Sequence, residues 1–388
     1  MPQQRHRRIA MIAPNGSRVG GAESYLLDLA KSLAAGGNSV TLIHRAPDHD
    51  PVAGVSFVYV PRYDDPAEAL ADAAPDIVHV HDDALGPSEG TSVMSGTPVV
   101  RSLHNWWFGC STGTLLRRGG RACPRAHGPG CLSHIASSSC TERPNPLPAF
   151  SRWRQLGSER QAVRQSAAVI VYSDYARRVA LRNGVTASRC HVMRYYVDAP
   201  NVATAPPGLG QVCVVGRLTK LKGIESLLDT VSLSKCVRKL QVVGDGYYRQ
   251  QLMRRTEQLG IGDRVEFLGW QGAETTREAM QNSDVVAVPS AWPEPFGIVG
   301  LEAMAVARAV VGADTGGIPE WLEDGVTGRL VPPGDPAAWA GALDSVLGDP
   351  ERLTRWGLAG AERARAFSRE RHLEELEEIY DAITTPAG

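Results

Sequence analysis

The chain has 388 residues, too many for one ordinary hydrophobic core, so two domains are expected. Apolar residues make up 43% and charged residues 21%, the balance of a soluble globular protein, and a net charge of -1 gives no support to a nucleic-acid surface. No apolar run reaches the roughly 20 residues that cross a bilayer. The basic start, Arg5-His6-Arg7-Arg8, runs straight into a short strand without the apolar region of a signal peptide. A cytoplasmic location is expected, with transient contact at a membrane surface left open.

In chain order, Ile9 to Ala13 reads as a short buried strand, followed by a Gly-rich turn from Gly16 to Gly21. Ala22 to Ala35 has helical periodicity, with Leu26, Leu29, Ala30 and Leu33 on one face. Val40 to Ile43, Val55 to Val60, Asp76 to His81, Pro98 to Val100 and Ala167 to Tyr172 read as further strands. Continuous β-branched runs separated by helices predict a parallel sheet covered on both faces. The second half repeats the plan, with strands at Val212 to Val215, Leu240 to Val243, Val265 to Leu268, Val285 to Val288 and Val310 to Val311. A Pro- and Gly-rich linker from Asp198 to Gly210 separates the halves. The fold class predicted is α/β, with two doubly wound Rossmann-like domains facing across a cleft. The first spans residues 1–203, with a Cys-rich insertion at 105–145, and the second spans 204–368. A charged helix in 369–388 is a candidate to pack back on the first domain. Ligands of such sheets bind beyond the carboxyl ends of the strands.

The segment from Glu294 to Asp335 carries the most chemistry. Glu294 and Glu302 lie eight positions apart and flank Phe296-Gly297-Ile298, where a strand gives way to a helix. Helix-start N–H groups suit a phosphate, and two carboxylates suit sugar hydroxyls. A nucleotide-sugar needs both. Earlier in the same half, Gly216-Arg217-Leu218 and Lys222-Gly223 follow the first strand.

These motifs resemble the retaining glycosyltransferases of family 4, which have the GT-B fold. The resemblance is strong from Gly216 to Asp335 and weaker across the first domain. It implies that Arg217 and Lys222 hold the diphosphate, where fixed cations stabilise the charge of the departing nucleotide. It gives Glu294 the donor sugar, Glu302 the ribose, and Gly297, Ile298 and Val299 the distal phosphate, with Phe296 in the same donor motif. Gly244 and Gly246 fall near the nucleotide, and Leu268 beside the base. In the first domain, Gly20-Gly21-Ala22-Glu23 resembles the family's glycine loop, placing Gly21 by the donor and Glu23 by the acceptor. His104 resembles the histidine near the reacting sugar. Asp82, at a strand end, is a candidate to face the acceptor. Trp106 is a candidate wall of the acceptor site, with ordinary core packing as the alternative. The chain departs from the pattern at Ala307, where a residue suited to a left-handed helix end is usual, and at Tyr195-Tyr196-Val197-Asp198.

A third departure is the insertion. Cys110, Cys123, Cys131 and His134 are spaced C-x12-C-x7-C-x2-H, and the last pair has the spacing of a zinc-knuckle half. The intervening stretch has too little apolar content to form a core. A structural zinc is therefore expected, with Cys140 or His127 as substitute ligands and free thiols or disulfides as alternatives.

The resemblance implies transfer from a nucleoside diphosphate sugar, with UDP favoured, to a hydroxyl acceptor. Retention would come from front-face displacement, in which the leaving phosphate helps deprotonate the acceptor, with no catalytic metal. A GT-B nucleotide-sugar 2-epimerase and a non-catalytic sugar-nucleotide-binding protein are the alternatives. The high Ala, Gly and Arg usage suggests a GC-rich bacterial source, and with it a secondary metabolite such as an antibiotic, or an envelope glycan, as acceptor. The sequence leaves oligomeric state open.

Overall fold

A computed structural model describes residues 6–61, 66–81, 96–137, 140, 147–198 and 206–384. The chain divides into two compact units, Met1–Arg194 with Glu370–Gly388, and Tyr195–Arg369.

Unit 1 runs β1 (Arg8–Ala13), α1 (Gly21–Ala35), β2 (Ser39–His44), β3 (Val55–Tyr59), α2 (Ala67–Ala73), β4 (Ile77–His81) and β5 (Val99–Ser102). A small hairpin, β6 (Leu116–Arg117) and β7 (Arg121–Ala122), leads to α3 (Gly130–Ala136) and α4 (Leu147–Gln165). β8 (Ala168–Val171), α5 (Asp174–Arg182) and β9 (Cys190–Val192) complete this part. The seven-stranded sheet has the order β3-β2-β1-β4-β5-β8-β9, and its pairs are parallel. The apolar runs are buried along whole strands, as in β4 and β8, because helices cover both faces.

Unit 2 runs β10 (Gln211–Val215), α6 (Ile224–Leu233), β11 (Lys239–Val243), α7 (Arg249–Gln258), β12 (Val265–Gly269), α8 (Ala273–Gln281), β13 (Val285–Val288), α9 (Ile298–Ala305), β14 (Ala309–Ala313), β15 (Gly328–Val331), α10 (Pro336–Leu347) and α11 (Pro350–Ala364). Its six strands are parallel in the order β12-β11-β10-β13-β14-β15. The last helix, α12 (Arg369–Thr384), belongs almost wholly to unit 1. Its His372 accepts or donates a 2.8 Å bond with the Tyr25 hydroxyl of α1, and its Asp381 pairs with Arg7 at 2.6 Å.

Ser173 caps α5, and Asp335 and Asp349 cap α10 and α11, each through its side-chain oxygen. The starts of α1, α6, α8 and α9 have glycine at the cap and no side-chain cap bond. In each sheet the strand order reverses beside the first strand, between β1 and β4 and between β10 and β13. Crevices beyond the carboxyl ends of such strands are where these sheets take ligands.

Candidate active site

In unit 2, the loops after β10 and β13 meet at that switch point. The Ala291 N–H donates to the Leu221 carbonyl at 2.8 Å, and a Cβ on Gly223 would overlap the Pro289 carbonyl. Gly223, with φ of 70°, therefore fits where a side chain cannot. This junction brings Lys222 Nζ to 2.7 Å from Glu294 Oε1, although 72 residues separate them. Ser290 Oγ donates to the same oxygen at 2.6 Å. Burial opposes ionisation of Glu294, but the Lys222 charge and hydrogen bond, together with Ser290, hold its carboxyl below the usual range. Arg217 stands exposed on the loop that leads to Lys222.

The Glu294 backbone is also fixed. The Gly317 N–H donates to the Glu294 carbonyl at 2.8 Å, and a Cβ on Gly316 would overlap the Glu294 backbone. Immediately after, Gly297 takes φ of 89° and starts α9 without a side-chain cap. The first turn of α9, with the N–H groups of Ile298 and Val299, thus starts without a cap from a Gly297 side chain. Trp321 Nε1 donates to the Phe296 carbonyl at 2.7 Å, while the Phe296 ring is buried against Tyr195 and Phe367. Glu302 lies one turn into α9, where burial raises its pKa and the Arg277 charge opposes that rise.

Glycines interlock the neighbouring loops. The Gly244 N–H donates to the Gly269 carbonyl at 2.7 Å, next to Leu268 at the end of β12. Cβ atoms on Gly244 and Gly246 would overlap the carbonyls of Gly216 and Leu218. The loops after β10, β11 and β12 are thereby held together at one edge of the sheet. Ser290, Gly316 and Gly317 were missed as site residues. Ser290 and the glycine pair both stand in or near the Glu294 motif, a signal that was available.

In unit 1, β4 and β5 bring a column of rings together. His81 pairs in register with Ser102, and His104 follows two residues later. His79 stacks on His81 at 4.3 Å between centroids, His81 on His104 at 5.2 Å, and His104 on Tyr172 at 4.6 Å. His79 bonds the Tyr380 hydroxyl at 2.7 Å and the Ser102 hydroxyl at 2.8 Å. His81 Nδ1 lies 2.9 Å from His104 Nε2, and the Tyr172 hydroxyl lies 3.3 Å from that same nitrogen. Burial lowers the pKa of His79 and of His104 to about 3, and holds His81 well below the ordinary value. The column is neutral at physiological pH.

Gly21 is the first residue of α1, and Glu23 Oε1 in its first turn accepts from Asn15 Nδ2 at 3.4 Å. Trp106 is 1% exposed and packs against Phe108 and Tyr175, so of its two readings core packing is the one observed. Asp82 lies outside the described residues.

The zinc expectation finds no support among the described residues. Among the described residues no group of three or more His, Cys, Asp or Glu is placed to hold a metal, and Cys110, Cys123, Cys131 and His134 are all described. The cysteines are free thiols. Cys110 Sγ contacts the Thr112 hydroxyl at 3.2 Å instead. Burial raises the Cys131 thiol and pushes that of Cys140 up to about 11, and the neighbouring cysteines of the segment add to both shifts. The segment is ordered by other means. Arg160 donates to the His127 carbonyl at 3.0 Å, Asn183 accepts the His127 N–H at 3.0 Å, and Trp153 donates to the Gly128 carbonyl at 3.1 Å. Spacing alone could not foresee these long-range anchors.

Two doubly wound parallel sheets, one carrying the Lys222 and Glu294 pair, are the architecture of the GT-B fold. Solved structures of that fold cover nearly all of the chain. A sucrose-phosphate synthase from Thermosynechococcus elongatus has a TM-score of 0.74 at 23% identity, covering 97% of this chain and 98% of its own. Anabaena HepE in complex with UDP-glucose has a TM-score of 0.71 at 20% identity, covering 96% and 100%. Residues 19–199 match the family described as Glycosyltransferase Family 4, and residues 200–363 match Glycosyl transferases group 1. A D-inositol 3-phosphate glycosyltransferase from Mycolicibacterium smegmatis is 30% identical over 93% of this chain and 88% of its own. Its counterpart from Nocardia farcinica is 29% identical over 98% and 90%. The chain belongs to glycosyltransferase family 4. No helix among the described residues is long and apolar enough to cross a membrane.

Proposed function

We propose that the protein transfers a sugar from a nucleoside diphosphate sugar, UDP-linked by preference, to a hydroxyl acceptor with retention at the anomeric carbon. The observation that carries this reading is the Lys222 to Glu294 pair at 2.7 Å beside the uncapped start of α9. In the proposed donor complex, Arg217 and Lys222 hold the diphosphate. The N–H groups of Gly297, Ile298 and Val299 meet the distal phosphate, and Glu294 turns to the sugar hydroxyls. Glu302 accepts from the ribose, while the glycine loops around Gly244, Gly246 and Leu268 border the nucleotide. His104 contacts the donor sugar, with Gly21 and Glu23 on the loop that serves donor and acceptor.

The chemistry follows from charge. Breaking the bond to the anomeric carbon leaves negative charge on the diphosphate, and fixed cations with helix N–H groups stabilise it in the transition state. The departing phosphate oxygen then takes the acceptor proton, and the acceptor oxygen bonds the carbon on the same face. No carboxylate nucleophile is needed. The Anabaena neighbour's complex with UDP and glucose supports a UDP-linked donor. The test is a panel of nucleotide-sugars scored by thermal shift and by slow hydrolysis. Stabilisation with release of free nucleotide is expected. Epimerisation without nucleotide release, or binding without turnover on every acceptor offered, would contradict the transfer reading.

A further inference from the structure

We propose that Trp292 is a positioning residue whose indole N–H takes the Glu294 carboxylate when Lys222 leaves it for the diphosphate, an inference that rests on the donor-binding roles proposed for Lys222 and Glu294. Ser290, Trp292 and Glu294 lie at alternate positions on the loop that joins β13 to α9. That loop is pinned on both sides of Trp292. The Ala291 N–H donates to the Leu221 carbonyl at 2.8 Å, and the Glu294 carbonyl accepts from the Gly317 N–H at 2.8 Å. Trp292 Nε1 is buried and has no hydrogen-bond partner within normal distance among the described residues. The Glu294 carboxyl is nonetheless its neighbour. Burial opposes ionisation of that carboxyl, while Lys222, Ser290 and the nearby Trp292 N–H favour it.

Charge makes the exchange necessary. Glu294 is 4% exposed, and its Oε1 accepts from Lys222 Nζ at 2.7 Å and from Ser290 Oγ at 2.6 Å. Lys222 carries one positive charge on a flexible four-carbon stem. A diphosphate bears more negative charge than one carboxylate and draws that ammonium away. A buried carboxylate without its cation takes up a proton unless other donors hold it. A protonated Glu294 would offer a sugar hydroxyl a donor where the transfer reading needs an acceptor.

Ser290 and Trp292 are the donors that stay. They share the Glu294 loop and carry no charge for a diphosphate to attract. A hydrogen bond from either one favours the ionised carboxyl. Ser290 is already engaged, so the unfilled donor is the indole. A buried N–H without an acceptor is unfavourable, and an indole has no acceptor role to compete with its donor role. Trp292 therefore gains its partner in the same movement in which Glu294 loses its lysine. The indole holds the carboxylate, and the carboxylate meets the sugar.

The experiment reads the indole proton–nitrogen NMR signal of Trp292 in full-length protein at neutral pH, assigned by its loss in Trp292→Phe. In Lys222→Ala without nucleotide, the indole proton is expected to move downfield as Glu294 takes the N–H. Adding UDP, which carries a pyrophosphate but no sugar, should move it downfield in wild-type protein, and Glu294→Ala should abolish that shift. Trp292→Phe should bind UDP as wild type does, while kcat on a UDP-sugar falls about ten- to a hundred-fold, the loss of one hydrogen bond to a charged group. An unmoved indole signal in Lys222→Ala overturns the proposal, as does Trp292→Phe with wild-type kcat. A UDP-induced shift that survives Glu294→Ala overturns it too, because the indole then donates to the nucleotide itself. If Trp292→Phe fails to fold, the signal is assigned through the backbone and the Lys222→Ala spectrum decides. That spectrum needs no nucleotide. A protein that neither binds UDP nor turns over any UDP-sugar, yet shows the downfield signal in Lys222→Ala, would refute the transferase reading and leave the Trp292 to Glu294 contact standing.

Discussion

The two units solve opposite electrostatic problems at the same topological position. At the switch point of unit 2, charge is concentrated. A buried carboxylate is kept ionised by a lysine and a serine, beside a helix start left uncapped. At the switch point of unit 1, charge is excluded, and stacked histidines are held neutral by burial. All ten histidines of the chain fall within unit 1 and none within Tyr195–Arg369. A pyrophosphate site needs fixed cations that do not titrate near neutrality, which Arg and Lys supply.

That contrast can be broken by acid. The pKa values of His79, His81 and His104 are depressed in the fold, to about 3 for His79 and His104, so the unfolded chain binds more protons below about pH 6.5. Their stabilising contribution is present above the unfolded value and is lost as pH falls toward the folded one. Each costs about 1.4 kcal/mol per pH unit once well below the unfolded value. Hydrogen exchange followed from neutral to mildly acidic pH should show β4 and β5 losing protection before β10 and β13. Equal loss in both sheets would contradict the contrast.

Removing the cation of unit 2 comes next. Lys222→Ala should lower turnover by ~10²–10³, the scale of a lost transition-state contact, while the folded state persists in circular dichroism. The Glu294 carboxyl, relieved of its partner, should titrate higher. Near-normal turnover would remove Lys222 from the cradle.

A third substitution sharpens the backbone half of the cradle. Gly316 has φ of 60° and no room for a Cβ against Glu294. Gly316→Ala should cost about 2 kcal/mol or more in chemical denaturation, since the left-handed conformation alone costs about 1–2 kcal/mol. Turnover should fall with it as Glu294 is displaced. The smallest effect is expected at Ala307, which occupies the left-handed position after α9 with φ of 56°. Ala307→Gly relieves backbone strain of about 1 kcal/mol but forfeits a buried methyl worth about 0.8 kcal/mol. A change in Tm of only a few degrees should result, with turnover unaltered.

The sequence shows what is local. Apolar, mostly β-branched runs such as Val285 to Val288 pointed to buried parallel strands, because every residue of that strand is buried. Glu294, Gly297 and Glu302 were legible because strand end, helix start and first turn are contiguous in the chain. The strained Ala307 was legible too, as a mismatch with what a helix end prefers. What escaped was long-range. Gly316 bears on Glu294 from 22 residues away, and His81 reaches His104 only because β4 and β5 are neighbours. The Cys segment was less legible, because ligand-like spacing does not by itself place side chains in a coordinating arrangement. Its order comes from Asn183 and Arg160, contributed by distant helices.

The central claim is that unit 2 holds the pyrophosphate of a nucleotide-sugar between Arg217, Lys222 and the start of α9. A crystal structure with an intact UDP-sugar tests it most directly. The expected result is a pyrophosphate within hydrogen-bond distance of Lys222 and the Ile298 N–H, with Glu294 released from Lys222 onto the sugar. A nucleotide bound elsewhere, with the Lys222 to Glu294 pair still closed, would contradict the account.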